Sequence, residues 1–577
     1  MNGKKALLFL LVFLFMPPLS WAMRATVFEV PTSDSLLAGI VAPSSRGVWF
    51  LEADGQKIAH LDPAYGLRRD YEVTPQVHHL SPSSYTIPNE VVEEVEPSET
   101  QLSPTTTGVS YTSQDGFREF EHGLPWSFDL VFDRYHLWFT ARDDDLVCRF
   151  DPRTRDLTTW QVPTADSWPI GIVLGDGEVW VVENGARKLL RLDPATDTAT
   201  EWEIPEAQSP GGPGVLLDDE GRVWVTDRGG KLYRFDPDTN TFSYFSVPAN
   251  HGPVDIAWDG ERIWMSIWDD GDGHPALFCY DPDGVTVWRW TLPDEFQDPY
   301  EMEVDPFGRV WVIAVWGQKL GCLDPDEGTF TVWDLPGTPS GESYDLAIDP
   351  EGNVWFVNSG ENYVGYFRHA AFYTLYLPHF DVTGGWWTGV ALRNAERGDV
   401  KVKLFAYDSE GQLLGEEELT LGDYERRALL VGQDVFSGVE TGWIKVVSSG
   451  RMDGFVLFGN GGMLAGVSAL SGSGQELVFP HFHQDGEWWT GVAVINTGLM
   501  DVRMVLSAYE ENGDELDTEE VELPPLGKLV GTVEGIFGVS GQGSMDAGAE
   551  YFGGISGFEL FGKQDGSSLA GVPASVR

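Results

Sequence analysis

Along the first 370 residues the apolar positions come in short alternating runs, four to a unit, and Gly, Asp and Pro separate the runs. "GEVWVVENGARKLLRLDPATDTATEWEIP" (Gly177–Pro205), "GRVWVTDRGGKLYRFDPDTNTFSYFSVP" (Gly221–Pro248) and "GRVWVIAVWGQKLGCLDPDEGTFTVWDLP" (Gly308–Pro336) show the frame. Period-two alternation bounded by turn residues predicts half-buried strands. An anchor tryptophan recurs as Trp49, Trp138, Trp180, Trp224, Trp264, Trp311 and Trp355, with spacings of 89, 42, 44, 40, 47 and 44. Four strands in a unit of that length is the pattern of a propeller blade. Seven anchors therefore predict seven blades over residues 23–371. The anchors belong on the second strand of each blade, packed between neighbours. The Asp-Pro pairs at 62, 151, 193, 236, 281 and 324 start turns, with Asp accepting from backbone amides and Pro presetting φ.

The spacing of 89 is one blade plus an insertion. Residues 73–116 are rich in Pro, Ser, Thr and Glu and lack the Gly-x-Val-Trp core, so a flexible loop is expected there. Ring closure is also legible. "ATVFEVP" (Ala25–Pro31) matches fourth strands such as "ATEWEIP" and "FTVWDLP" but precedes the first blade. It is expected to supply the outer strand of blade seven and so leave no open edge.

Residues 372–472 and 473–577 form a tandem repeat of about 102 residues, read as two β-sandwiches of immunoglobulin size with no helical stretch. The fold class is therefore all-β, a seven-bladed propeller followed by two sandwich domains. "GWWTGVAL" and "EWWTGVAV" occupy the same frame in the two copies. Alternation puts Trp386, Thr388, Val390 and Leu392 on one face, with Trp488, Thr490, Val492 and Val494 on its equivalent. The first Trp of each pair is expected in the core. The second, Trp387 or Trp489, shares its face with small residues that leave room for something to lie against it.

At 577 residues the chain is too long for one core. It opens MNGKKALLFLLVFLFMPPLSWAM, which reads as a signal peptide over residues 1–22. The expected location is outside the cytoplasm, extracellular or periplasmic, with no membrane span. The formal charge is −53, from 90 acids against 37 bases, and this disfavours nucleic acid and anionic membranes as partners. Three cysteines, Cys148, Cys279 and Cys322, exclude a disulfide scaffold and read as small buried hydrophobes.

The repeat Asp-x-x-Gly-x-Val-Trp, then Lys-Leu-x-Arg-Leu-Asp-Pro, then a strand ending in Pro, resembles the streptogramin B lyase (virginiamycin B lyase) type of propeller over residues 25–370. The C-terminal pair resembles immunoglobulin-like accessory modules of secreted bacterial proteins. The first resemblance implies a His in a Pro-His-Gly-Ile turn, a nearby Glu and Mg²⁺. Here the turn positions hold Phe128, Ile170, Pro213, Val254, Tyr300 and Tyr344. None is His. Glu342, two residues before Tyr344, is the one catalytic candidate.

A second pattern concerns acids. The residue before the inner-strand aliphatic, the leading position, is Gly39, Asp129, Gly171, Gly214, Asp255, Glu301 and Asp345 through the blades. The third residue after the anchor, the trailing position, is Glu52, Ala141, Glu183, Asp227, Ile267, Ala314 and Asn358. Each of the seven blades thus offers one carboxylate, expected at one rim of the central channel. Asp129, Asp255, Glu301 and Asp345 either accept backbone amides or hold a hard cation such as Ca²⁺ or Mg²⁺. Trp268, Tyr300, Trp316 and Tyr344 at the same rim suit a carbohydrate or other small polar molecule. Two functions follow. One is a secreted binding protein for a small polar, sugar-like or cationic ligand, with sandwiches for spacing, adhesion or a partner protein. The other is a cation-dependent lyase or hydrolase acting on a cyclic ester or lactone. The missing His favours the first.

Overall fold

The computed structural model describes residues 23–33, 35–86, 90–249, 251–282, 286–338, 342–550 and 553–576. The leader expected over residues 1–22 lies outside them. Residues 23–371 form seven antiparallel sheets around a channel, and residues 372–576 add two sandwiches of two sheets each. The anchor tryptophans are all buried, at most 3% exposed. Five of them donate their indole N–H to an aspartate five or six residues upstream: Trp138 to Asp133, Trp224 to Asp218, Trp264 to Asp259, Trp311 to Asp305 and Trp355 to Asp349, at 2.7–3.0 Å. Asp218, Asp305 and Asp349 are the first residue of the Asp-x-x-Gly-x-Val-Trp turn, and Asp133 and Asp259 open shorter turns in its place. The turn thus orients the indole by its polar end while the ring fills the space between blades.

Met23–Glu29 pairs with Tyr363–Phe367 of blade seven. The N-terminal strand closes the ring, as its likeness to the other fourth strands predicts.

The insertion is not a loop. The chain leaves the turn of blade one after Gly66 and runs once around the propeller. Arg68–Val73 pairs with the N-terminal strand of blade seven. Gln76–His79 then adds to blade six, Ser83–Thr86 to blade five and Val91–Glu94 to blade four. Ser98–Gln101 adds to blade three, Thr105–Gly108 to blade two and Ser110–Gln114 to blade one. Every blade therefore has five strands, and the fifth always comes from this belt. The belt contributes mainly backbone, because an edge strand needs hydrogen-bonding partners more than it needs apolar side chains. Its few aliphatics are placed regularly. Val73, Leu80, Val95, Leu102 and Val109 pack against five inter-blade cores. Four of them also donate their amide to a turn carbonyl of the blade: Leu80 to Gly328, Val95 to Asn240, Leu102 to Asp197 and Val109 to Arg155.

In the sandwiches Thr388, Val390 and Leu392 are buried, as are Thr490, Val492 and Val494. Trp386 and Trp488 are only half-buried, less than expected, because they sit at the strand ends. Trp387 and Trp489 find their partner on the neighbouring strand. Each lies flat on a glycine, Gly459 or Gly562, where a Cβ would come within 2.2 Å of the indole. A five-residue helix, Val533–Phe537, interrupts the second sandwich. Thr532 caps its first turn and Gly538 ends it in the left-handed region, a local signal that strand periodicity does not carry. One core position differs between the repeats. Val456 lies in the first core. Glu559, its counterpart, pairs with the core residue Val492 and is fully buried with neither carboxyl oxygen hydrogen-bonded.

Both sandwiches dock on the propeller. Val447 and Phe405 of the first pack into the core of blades six and seven. The second reaches the lower end of the channel, where the Leu499 amide donates to Pro43 and Asp501 pairs with Arg134.

Candidate functional site

The leading acids do line the channel, but their orientation answers the alternative left open by the sequence. Asp129 accepts the amides of Leu130 and, from blade three, Ile172, at 2.8 and 2.9 Å. Asp255 accepts the Met302 amide of blade six at 2.9 Å. Asp345 accepts the Ile40 amide of blade one at 2.6 Å and its neighbour Leu346 at 2.7 Å. Glu303, which the alternation did not single out, does the same for Ile348 of blade seven at 2.6 Å. These carboxyls staple the inner strand of one blade to the next. Two of the glycine leading positions are explained by the same closeness. A Cβ on Gly39 would stand 2.7 Å from the Phe128 carbonyl, and one on Gly214 would stand 2.8 Å from the Val254 carbonyl.

The trailing acids do not join them. Glu52 accepts from Ser35, and Asp227 accepts from the Gln208, Ser209 and Gly229 amides. These two organise the loops of their own blades and Glu183 is buried beside Glu201, so the expected one-per-blade ring at the channel resolves into two separate sets.

Burial dominates the chemistry of the channel acids. It pushes Asp129 up to about 7 and Asp255 up to about 8. Glu301 is raised well above the carboxylate range by burial and by its neighbours Asp255, Asp345 and Asp129, and Asp345 is raised likewise. Crowded buried carboxyls hold protons because their charged forms lose hydration and repel one another. Among the described residues no group of three His, Cys, Asp or Glu side chains is arranged to hold a metal ion. With oxygens of Asp129, Asp255 and Asp345 already bound to backbone amides, these residues do not fit Ca²⁺ or Mg²⁺.

Above them, at the open mouth, lies a cavity of roughly 290 Å³. Tyr300, Tyr344, Asp129, Glu301 and Asp345 line it, joined by Trp126, Arg142, Asn184 and Arg228. The last three occupy one position, the residue after the trailing one, in blades two, three and four. They form a polar arc Arg-Asn-Arg facing the two tyrosines. The Arg142 guanidinium lies 5.0 Å from the Trp168 ring and 6.0 Å from that of Trp126. Both tryptophans are in the left-handed region, each at φ 53°, an uncommon conformation for a bulky residue. The Arg228 guanidinium lies 5.3 Å from the Trp268 ring. Neither arginine pairs with a channel acid.

Of the predicted aromatics, Tyr300 and Tyr344 meet edge to face at 6.0 Å. Trp268 supports Arg228 and donates to the Pro299 carbonyl at 3.0 Å. Trp316 is 45% exposed and stands outside the cavity lining, and Asp255 lies deeper, towards the lower end. Glu342 accepts the Tyr344 hydroxyl. Sequence reasoning missed Trp126 and the arginine arc. Their signal was a Trp three residues before the leading position in "WSFD" and "WPIG", and a basic residue after the trailing one in "TAR" and "TDR".

Residues 132–367 match the model of the virginiamycin B lyase family. Among solved structures, a streptogramin B lyase shares 17% identity at a TM-score of 0.46, over 60% of this chain and 98% of that one. A virginiamycin B lyase from Staphylococcus aureus shares 15% at 0.45, over 60% and 98%. The WD40 β-propeller domain of Doa1 shares 11% at 0.42, over 59% and 96%. No curated protein matches in sequence.

Proposed function

We propose that the chain is a secreted, non-catalytic binding protein whose propeller mouth takes a small polar, sugar-like ligand bearing an acidic group. The observation that carries this reading is the convergence of Arg142, Asn184 and Arg228 with Tyr300 and Tyr344 on one cavity. Burial raises the acids beneath towards their neutral forms and backbone amides hold Asp129 and Asp345, so the arginines set the sign of the mouth. Guanidinium forks select carboxylates by geometry as well as charge, and the tyrosines offer flat faces to a ring. A cationic ligand does not fit this arrangement. The sandwiches serve as spacing or adhesion modules.

The second reading, a lyase or lactone hydrolase, is favoured by the family match over residues 132–367. It needs a base at the mouth, and the carboxyls of Asp129 and Asp345 there are engaged by backbone amides. The nearest acid–base pair is Tyr344 with Glu342, and burial and the Glu342 hydrogen bond raise the Tyr344 hydroxyl out of the range of a base at neutral pH.

Calorimetry of the protein against neutral sugars, uronic acids and small carboxylates tests the proposal. Acidic sugars should bind. Arg142→Ala and Arg228→Ala should each weaken binding about tenfold or more without lowering the melting temperature. Binding of neutral and acidic sugars with equal affinity, unaffected by both substitutions, would overturn it.

A further inference from the structure

Four arginines of this acidic chain gather far from the mouth. Arg118 on the fourth strand of blade one, Arg153 and Arg155 in the blade-two turn, and Arg503 of the second sandwich line a cleft of roughly 370 Å³ with Tyr111 of the belt and Glu550. The corresponding turns in other blades read "DPATDT", "DPDTNT" and "DPDEGT" against "DPRTRD" here. Of these four turns only that of blade two carries basic residues. Two of the four arginines are already shared with sandwich carboxylates. Arg153 pairs with Glu522 at 3.0 Å, and Arg503 pairs with Glu520 and, at 3.4 Å, with Glu550. Arg118 shares its charge with the buried Asp62.

Arg155 is different. It has no ion pair among the described residues, and its guanidinium lies 4.4 Å from the exposed Tyr111 ring. Its backbone is left-handed, at φ 64°. The same slot holds Asp197 in blade three, Asn240 in blade four and Gly328 in blade six, all left-handed as well. Those residues tolerate the conformation, and Asp197 and Asn240 also accept an indole N–H from the preceding blade. Blade one offers Phe120 there, with no such donor. Arg155 therefore sits where local conformation disfavours it and where the fold does not use its side chain as it does in blades three and four.

We propose that this cleft binds a tetrahedral oxyanion, sulfate or phosphate, as the free ion or as an ester on a sugar. The guanidiniums approach from three elements rather than one plane. Such an arrangement suits an anion whose three or four oxygens accept out of one plane, which a planar carboxylate does not offer. The Tyr111 ring then keeps Arg155 extended towards the anion. This site and the mouth are separate, so either reading can fail alone.

The test uses the full mature chain. Sodium sulfate and sodium phosphate at low millimolar concentration should raise the melting temperature above sodium chloride controls of equal ionic strength. Arg155→Asn places a residue suited to the left-handed slot. It should keep or raise the melting temperature without anion and weaken anion binding about tenfold or more. Arg155→Lys should retain part of the affinity. Sulfated and phosphorylated oligosaccharides, compared with the free ions, distinguish an ester from a free ion. The proposal is overturned if sulfate and phosphate act no more strongly than chloride, if citrate binds equally well, or if Arg155→Asn binds as tightly as the parent.

Discussion

A chain in which Gly66 is joined directly to Phe117 should still fold into a seven-bladed propeller, but it should associate through its outer edges. The belt leaves and re-enters a single turn. The Asp62 amide donates to Gly116 at 2.9 Å, and the two ends of the excursion touch where a Cβ on Gly116 would stand 2.5 Å from the Gly66 nitrogen. Removing residues 67–116 therefore restores a blade-one turn, "DPAYGF", much like the turns of the other blades. It also uncovers seven fourth strands, which are templates for pairing with another chain. The aliphatic plugs Val73, Leu80, Val95, Leu102 and Val109 go with it. The expected result is a net loss of about 3–5 kcal/mol and elution as oligomers. Size-exclusion chromatography and thermal unfolding measure both. A shortened chain as stable and as dispersed as the parent would show that the belt is ornament.

Replacing Glu559 should stabilise the second sandwich by about 3 kcal/mol at pH 7. Burial pushes this carboxyl up to about 8 from the 4.5 of a free side chain. Below pH 4.5 the folded and unfolded chains are both protonated, and stability is at its fullest. Between 4.5 and 8 the unfolded chain releases a proton that the folded chain keeps, so stability falls with rising pH by about 1.4 kcal/mol per unit. Glu559→Gln should abolish that slope and coincide with the parent near pH 4. Glu559→Val, the residue of the first repeat at this position, should give the greater gain, because it also removes a buried polar group that has no hydrogen bond. Chemical denaturation at pH 4, 6 and 8 decides the matter. A parent whose stability in this transition is flat across that range would refute the assignment.

The propeller was legible because a blade is a local unit. Its four runs, its Asp turn and its anchor Trp lie within about 44 residues, and ring closure needed only the likeness of Ala25–Pro31 to the other fourth strands. The belt was hidden because its strands are bound through backbone. Composition registers Pro, Ser, Thr and Glu, which describe its solvent face. The available signal was an aliphatic at 73, 80, 87, 95, 102 and 109, one every seven or eight residues. The channel acids were found by their alternation, but their role depends on the amide of the next blade, which no intra-blade pattern reports. Trp126 and the arginine arc become a site only when blades two to four are set side by side with six and seven.

The belt also fixes an order of events. Its residues are made before blades two to seven, yet it meets them in reverse: seven, six, five, four, three, two, and finally one. Its first strand pairs with the N-terminal strand, which reaches its place in the ring only when Tyr363–Phe367 has been synthesised, and its last strand pairs with the adjoining Phe117–Glu121. The strands between them, from Gln76–His79 to Thr105–Gly108, find no blade edge until blades six to two have been made. Contacts so distant along the chain form late and slowly. Refolding of the full chain should show a final slow phase in which the propeller is already ringed and the belt is still winding on, and the chain lacking residues 67–116 should lack that phase.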